Sequence, residues 1–421
     1  MTPMFTRREF LAGGGAAFFG VLVQSGCRKP AARRSDSLQA EAITRGPRHH
    51  WFGYYDKLQF DPTGRFVLGA EVDFEDRHPG PDDTIGVGMI DRTDNNRWIP
   101  LSTSRAWSWQ QGCMLQWMPG SRDEILFNDR EQDRFVSRIL NVRTRAIRTV
   151  PFPVFAIAPD GATAVTTDFA RIGMIRHGYG YPVREGDKQS PVFERPEKTG
   201  IWHVDLQSGH GRLILSLAKL LSWPGPLPVA PGAVHWTNHL LFSPDGSRIV
   251  FLHRYRSGGQ TTTRMFTCDP DGGNIHQINR GGNLSHFVWR DSSSLLAWAS
   301  VPGRRGAGFY LFRDRTGEVE PLGAGVMTEN GHISCLPGAR WILNDTYPSG
   351  PNRVQTLYLF DTRTNRRHNL GGFPMPSRYK GGLRCDLHPR LSPDGRTIVF
   401  DSTHGGHGRQ MYLIDVGALV T

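Results

Sequence analysis

The chain has 421 residues with 49 Gly, 29 Pro and only 21% charged residues, which fits many short strands joined by tight turns and excludes a bundle of long amphipathic helices. Lys and Arg outnumber Asp and Glu by 50 to 39, a formal charge of +11 that points to an anionic partner. The arginines are scattered and no recognition-helix pattern accompanies them, so nucleic acid is not the expected partner.

The first segment, Thr6-Arg7-Arg8-Glu9-Phe10-Leu11, precedes a weakly apolar stretch from Ala12 to Val23 that contains Gly13, Gly14 and Gly15. This is a twin-arginine export signal; the stretch is too short and too glycine-rich for a stable membrane span. Cys27 follows Leu22-Val23-Gln24-Ser25-Gly26, which resembles a lipoprotein cleavage box except that Gln24 stands where an aliphatic residue is usual. Residues 28–44, rich in Arg, Ala and Ser, read as a flexible tether with too little apolar surface to offset ordering entropy. The folded unit is expected over 45–421, as a monomer in the periplasm or held to the envelope through a lipid on Cys27. The five cysteines, Cys27, Cys113, Cys268, Cys335 and Cys385, show no CxxC spacing, so neither a zinc ribbon nor a disulfide scaffold can be read from them.

Seven turn markers then follow in chain order: Phe60-Asp61-Pro62-Thr63-Gly64, Trp117-Met118-Pro119-Gly120, Ile157-Ala158-Pro159-Asp160-Gly161, Phe242-Ser243-Pro244-Asp245-Gly246, Trp289-Arg290-Asp291, Cys335-Leu336-Pro337-Gly338 and Leu391-Ser392-Pro393-Asp394-Gly395. An apolar run enters each and another leaves it, so each is a hairpin. A further alternating strand succeeds each hairpin, over 85–91, 135–142, 200–205, 264–269, 306–314, 355–361 and 410–415. Such repeats cannot bury both faces alone, and radial stacking is the solution that leaves few open edges. The expected fold is all-β, a seven-bladed β-propeller, with residues 41–50 supplying the outer strand of the last blade. An open solenoid or two β-sandwiches would tolerate unequal repeat counts, and the long gap between Pro159 and Pro244 leaves room for an eighth, degenerate blade.

Three positions before the aligned apolar residue of the markers stand Lys57, Met114, Val154, His239, His286, His332 and His388. Equivalent positions of innermost strands converge on the axis, so four imidazoles in one ring suggest a divalent metal site. A thiolate from the nearby Cys385 would favour zinc; imidazoles alone would leave manganese open. On the same face lie the polar strand ends Asn128-Asp129-Arg130, His253-Arg254-Tyr255 and Asn344-Asp345-Thr346-Tyr347, the approach Gln110-Gln111, and a long excursion from Asp168 to Pro196 with His177, Tyr179, Tyr181 and Arg195.

The histidine ring, together with His239-Leu240-Leu241-Phe242-Ser243-Pro244-Asp245-Gly246 and Arg384-Cys385-Asp386-Leu387-His388, resembles the seven-bladed propeller lyases of acidic polysaccharides, the oligogalacturonate lyases and ulvan lyases. In the first family propeller histidines hold a manganese ion that binds the substrate's uronate carboxylate. The resemblance implies metal ligation by His286, His332 and His388, with Cys385 as an added candidate. Similarity to ulvan lyases in the third blade implies catalytic roles for Tyr179 and Arg195, with His177 and His239 as further acid-base candidates. Where ulvan lyases carry histidines in the second blade, this chain has Gln110, Gln111 and Asn128, which with Arg130, Arg254 and Tyr181 are expected to contact the sugar. The implied reaction is β-elimination on an acidic polysaccharide or oligosaccharide. A noncatalytic envelope propeller that binds a glycan or a protein is the alternative.

Overall fold

The computed structural model describes residues 38–184, 195–224, 232–280 and 282–421; the segment expected to be an export signal and Cys27 lie outside them. Among these residues the strands form seven four-stranded antiparallel sheets, one per blade of a β-propeller. Blades 1 to 6 run in simple chain order over 49–104, 116–150, 156–216, 234–278, 284–321 and 334–374. Blade 7 takes three strands from 390–415, and its fourth is Glu41–Ala42, whose residues pair with Leu413 and Tyr412. Among its described residues the gap after Pro159 holds no eighth blade; beyond the strands of blade 3 they form the helices α1 (Phe169–Ile175) and α2 (Leu217–Leu221).

The turn markers work through side-chain capping. In blade 4, Ser243 Oγ and Ser247 Oγ donate to Asp245, and Gly246 turns the chain at φ 73°. A residue with a Cβ is strained in that left-handed conformation, which is why Gly recurs at the end of the marker. Alternation along the strands puts one row of side chains against each neighbouring blade. Ile249, Val250 and Phe251 are therefore fully buried in succession, as are Ile398, Val399 and Phe400.

Of the residues expected to close the ring, only the first part does so. Ile43 and Thr44 are already buried, so 38–44 belongs to the propeller rather than to a tether, and His49–Trp51 forms the innermost strand of blade 1. Leu38, Ala40 and Ala42 pack on the apolar cluster shared by blades 6 and 7. Removing residues 38–42 strips these contacts and opens the edge of 410–415. The expected cost is on the order of 3 kcal/mol, seen as a lower urea midpoint for the truncated chain.

Blade 4 also buries a polar chain. Arg264 donates to His253 Nδ1 at 2.8 Å, which leaves His253 Nε2 to donate to His235 Nδ1 at 3.1 Å. Burial and the Arg264 charge depress both imidazoles, His235 to about 4 and His253 well below its ordinary value. The unfolded chain therefore binds protons that the folded one refuses. Stability is expected to fall as pH drops from 7 toward 4, and urea midpoints across that range check the sign.

Candidate functional site

The loop that leaves the innermost strand of blade 1 carries Tyr54, Tyr55, Asp56 and Lys57 onto the axis. It is pinned from blade 7: Phe52 N and Gly53 N donate to the Asp401 carboxylate, which Arg390 holds at 2.9 Å while also donating to Gly53 O at 3.0 Å. Tyr55 is 2% exposed, and its hydroxyl donates to Phe287 O at 3.1 Å and accepts from Phe287 N at 3.3 Å. Its ring lies 5.6, 6.0, 5.2 and 6.2 Å from those of His239, His286, His332 and His388. The four imidazoles thus gather around one phenol.

His239 enters through a break in strand register between Asn238 and Leu241, with φ 53° at His239 itself. His388 also lies in the left-handed region, at φ 41°. The first kink lies within the strand Val234–Phe242 and the second just before the strand Arg390–Leu391, and each re-aims its side chain. His239 Nε2 is 3.3 Å from Asp56 Oδ2, and Lys57 Nζ is 3.0 Å from Asp56 Oδ1. Burial opposes ionisation of Asp56, but Lys57 and His239 outweigh it and hold the carboxyl near about 2. Burial also depresses His239, against the pull of Asp56, so its imidazole is neutral at neutral pH.

On the other side of Tyr55, His286, His332 and His388 follow one another at ring separations of 4.3 and 4.2 Å. One donor atom each of His332, Asp386 and His388 lies within 4.8 Å of the others, a possible His/Asp metal site. The residues fit an ion in two respects. His332 Nδ1 is bound to Asp345 at 2.9 Å, which fixes the tautomer with Nε2 free, and His388 Nε2 is buried with no hydrogen-bond partner. His286 is less open, since Asn330 Oδ1 faces Nδ1 at 3.0 Å and the Tyr347 hydroxyl faces Nε2 at 3.2 Å.

Cys385, expected as a ligand, belongs to a buried cluster with Met375 and Tyr379, and burial pushes its thiol up to about 12. Residues two apart on extended backbone share a side, so Asp386 accompanies His388 while Cys385 and Leu387 turn to apolar surroundings. Arg384 orients Asp386 with two charge-assisted bonds of 2.5 and 2.7 Å.

The half-buried rim above this cluster holds Tyr179, Tyr347, Arg176, Arg254 and Arg384. The Arg176 guanidinium lies 3.6 Å over the Tyr179 ring, and Tyr179 is near enough to Tyr54, Tyr347 and Arg384 to affect their titration. Gly173 in α1 permits this placement, because a Cβ there would stand 2.0 Å from Tyr181 O. His177 is exposed and pairs only loosely with His78, at 5.9 Å between rings. Arg195 is also exposed, and the half-buried cations of the rim are Arg176, Arg254 and Arg384.

Five residues expected at the sugar are part of the frame. Asn128 has both ends of its amide used, by Val154, Ser137 and the Tyr181 hydroxyl. Tyr181 is fully buried and stacks on Phe169 at 4.4 Å. Arg130 is 1% exposed, reaches Pro81 O at 3.4 Å and lies over Phe135. Gln110 donates to Arg384 O at 2.7 Å, and Gln111 Oε1 accepts from Gly180 N at 3.3 Å, so both tie the Tyr179 loop to its neighbours. Tyr54, Tyr55 and Asp56, which the marker periodicity does not single out, reach the site from blade 1, and Asp345 of the polar strand end 344–347 enters it as the partner of His332.

With this geometry the fold can be compared with solved structures. An oligogalacturonate lyase in complex with manganese superimposes with a TM-score of 0.66 at 18% identity, over 91% of this chain and 94% of that one. The fold is that of oligogalacturonate lyases. A second such lyase, from Vibrio parahaemolyticus, gives 0.66 at 14% identity over 91% and 95% of the two chains. A prolyl endopeptidase structure follows at 0.52 and 10% identity, over 89% of this chain and 49% of that one. No protein-family profile and no curated protein matches the chain.

His332→Ala and His388→Ala are each expected to abolish uptake of manganese or zinc, while Cys385→Ala retains it; elemental analysis of the purified variants reads the difference.

Proposed function

We propose that the protein is an exported lyase that cleaves an acidic, uronate-containing oligosaccharide or polysaccharide by β-elimination. The observation that carries this reading is the meeting, on one face, of the Asp56–His239 pair with the His332, Asp386 and His388 cluster. The likeness in fold to oligogalacturonate lyases supports it.

β-Elimination needs a base for the proton α to a carboxylate, a means of offsetting the carboxylate charge, and a proton for the departing glycosidic oxygen. The base is assigned to His239. With Nε2–H donated to Asp56, the lone pair stands on Nδ1, where it faces the Tyr54 hydroxyl at 3.4 Å, and burial keeps the imidazole unprotonated at neutral pH. Asp56 stays ionised and stabilises the imidazolium that forms. A manganese or zinc ion held by His332, Asp386 and His388 would draw charge from the uronate carboxylate and make the adjacent C–H more acidic. Tyr179, on the rim beside Arg176 and Arg384, is assigned the proton given to the leaving oxygen. No step in this scheme is assigned to His177 or Arg195, both exposed. The twin-arginine segment, outside the described residues, supports a periplasmic or envelope location.

Incubation with manganese and oligogalacturonate, ulvan or glycosaminoglycan is expected to release an unsaturated uronate on at least one of them, read by its ultraviolet absorbance. On that substrate His239→Ala is expected to lower kcat by roughly 10²- to 10⁴-fold. Absence of the chromophore on all three leaves a noncatalytic binding propeller.

A further inference from the structure

The carboxylate of the candidate metal cluster, Asp386, stands on a stretch with no strand between Pro374 and Arg390, where the backbone makes one 3-10 turn over Gly381–Leu383. A ligand on such backbone keeps its place only if neighbouring side chains brace it. Arg409 of blade 7 supplies a brace. It is 1% exposed, lies over the Trp109 ring at 4.4 Å, and donates Nη2 to Leu383 O and Nη1 to Arg384 O at 3.4 Å. A planar guanidinium bridges two consecutive carbonyls in one fixed geometry. Arg384 in turn sets Asp386 with its bonds of 2.5 and 2.7 Å, and rests on the Tyr347 ring at 4.7 Å. The route from Arg409 to the carboxylate is therefore two contacts long.

Glu75 fastens the other end of the brace. It lies in the blade 1 connection between the strands Phe66–Val72 and Ile85–Asp91. Its Oε2 accepts from Arg409 N at 3.0 Å, while its Oε1 accepts from the Tyr379 hydroxyl and from Arg378 Nη2 at 3.3 Å. Gly408, at φ 73°, permits this approach, because a Cβ there would collide with His49 and Glu75. One carboxylate thus ties the backbone of Arg409 to the same loop whose carbonyls the Arg409 side chain binds.

We propose that Arg409 and Glu75 are positioning residues for Asp386, setting a metal-binding carboxylate from across the junction of blades 7 and 1. This rests on the metal reading of His332, Asp386 and His388 above and adds two residues outside that cluster.

The test is calorimetric titration of the purified full chain with manganese, with urea midpoints measured on the same variants. Arg409→Met and Glu75→Gln are each expected to raise the manganese dissociation constant about tenfold or more. Combining Arg409→Met with Arg384→Met is expected to cost less than the sum of the two, because both act on Asp386 by one route. Arg248→Met, which removes a buried brace to Asp314, is expected to lower the urea midpoint and leave manganese affinity unchanged. Should Arg409→Met not fold, Glu75→Gln, which keeps the shape of its side chain, decides the matter. Native manganese affinity in the folded variants overturns the positioning role alone. Equal loss in Arg248→Met, or full additivity with Arg384→Met, overturns the route through Asp386. A native chain that takes up no manganese overturns the metal reading and this inference with it.

Discussion

The site is organised by a single phenol. Tyr55 stands on the propeller axis with its hydroxyl bound at both polar groups of Phe287, and the four imidazoles pack around its ring. Because the phenol fills the space where water would otherwise stand, the groups beside it share a medium of low polarity. Burial is consequently the leading influence on His239, His286 and His388 alike, and each is held neutral. The Arg390–Asp401 pair sustains this by fastening the Tyr55 loop to the opposite end of the chain.

Polar side chains divide into two populations with different accounting. Asn128 spends both ends of its amide on Val154, Ser137 and Tyr181 and is part of the frame, whereas Gln110 and Gln111 each use one end and leave the other unmatched. His388 Nε2 and Arg254 Nε are buried yet unmatched. An unmatched buried donor or acceptor costs more than a satisfied one gains, so its survival in a well-braced setting marks a place where something else completes it.

The blade count was legible because turn chemistry and strand alternation repeat, and each repeat is a local property of a few residues. Third strands at 85–91, 200–205 and 410–415 coincide with the observed ones for that reason. The inward histidines were legible by the same periodicity. Cys385 misled because chain proximity was weighed without the two-residue alternation that favours Asp386. Tyr54, Tyr55 and Asp56 were hidden because blade 1 has no imidazole at the ring position, and nothing in its local pattern shows a loop reaching the axis. Asn128 and Tyr181 looked like ligand contacts since polarity at a strand end reads alike whether it faces a sugar or another loop.

Closure by Glu41–Ala42 has a topological side. The strand's partners are Tyr412 and Leu413, so the ring is shut by a contact between segments that are far apart along the chain. The Asp401–Arg390 brace beneath Tyr55 spans the same separation. The axial chemistry is therefore a non-local product, complete only once the first and seventh blades have met.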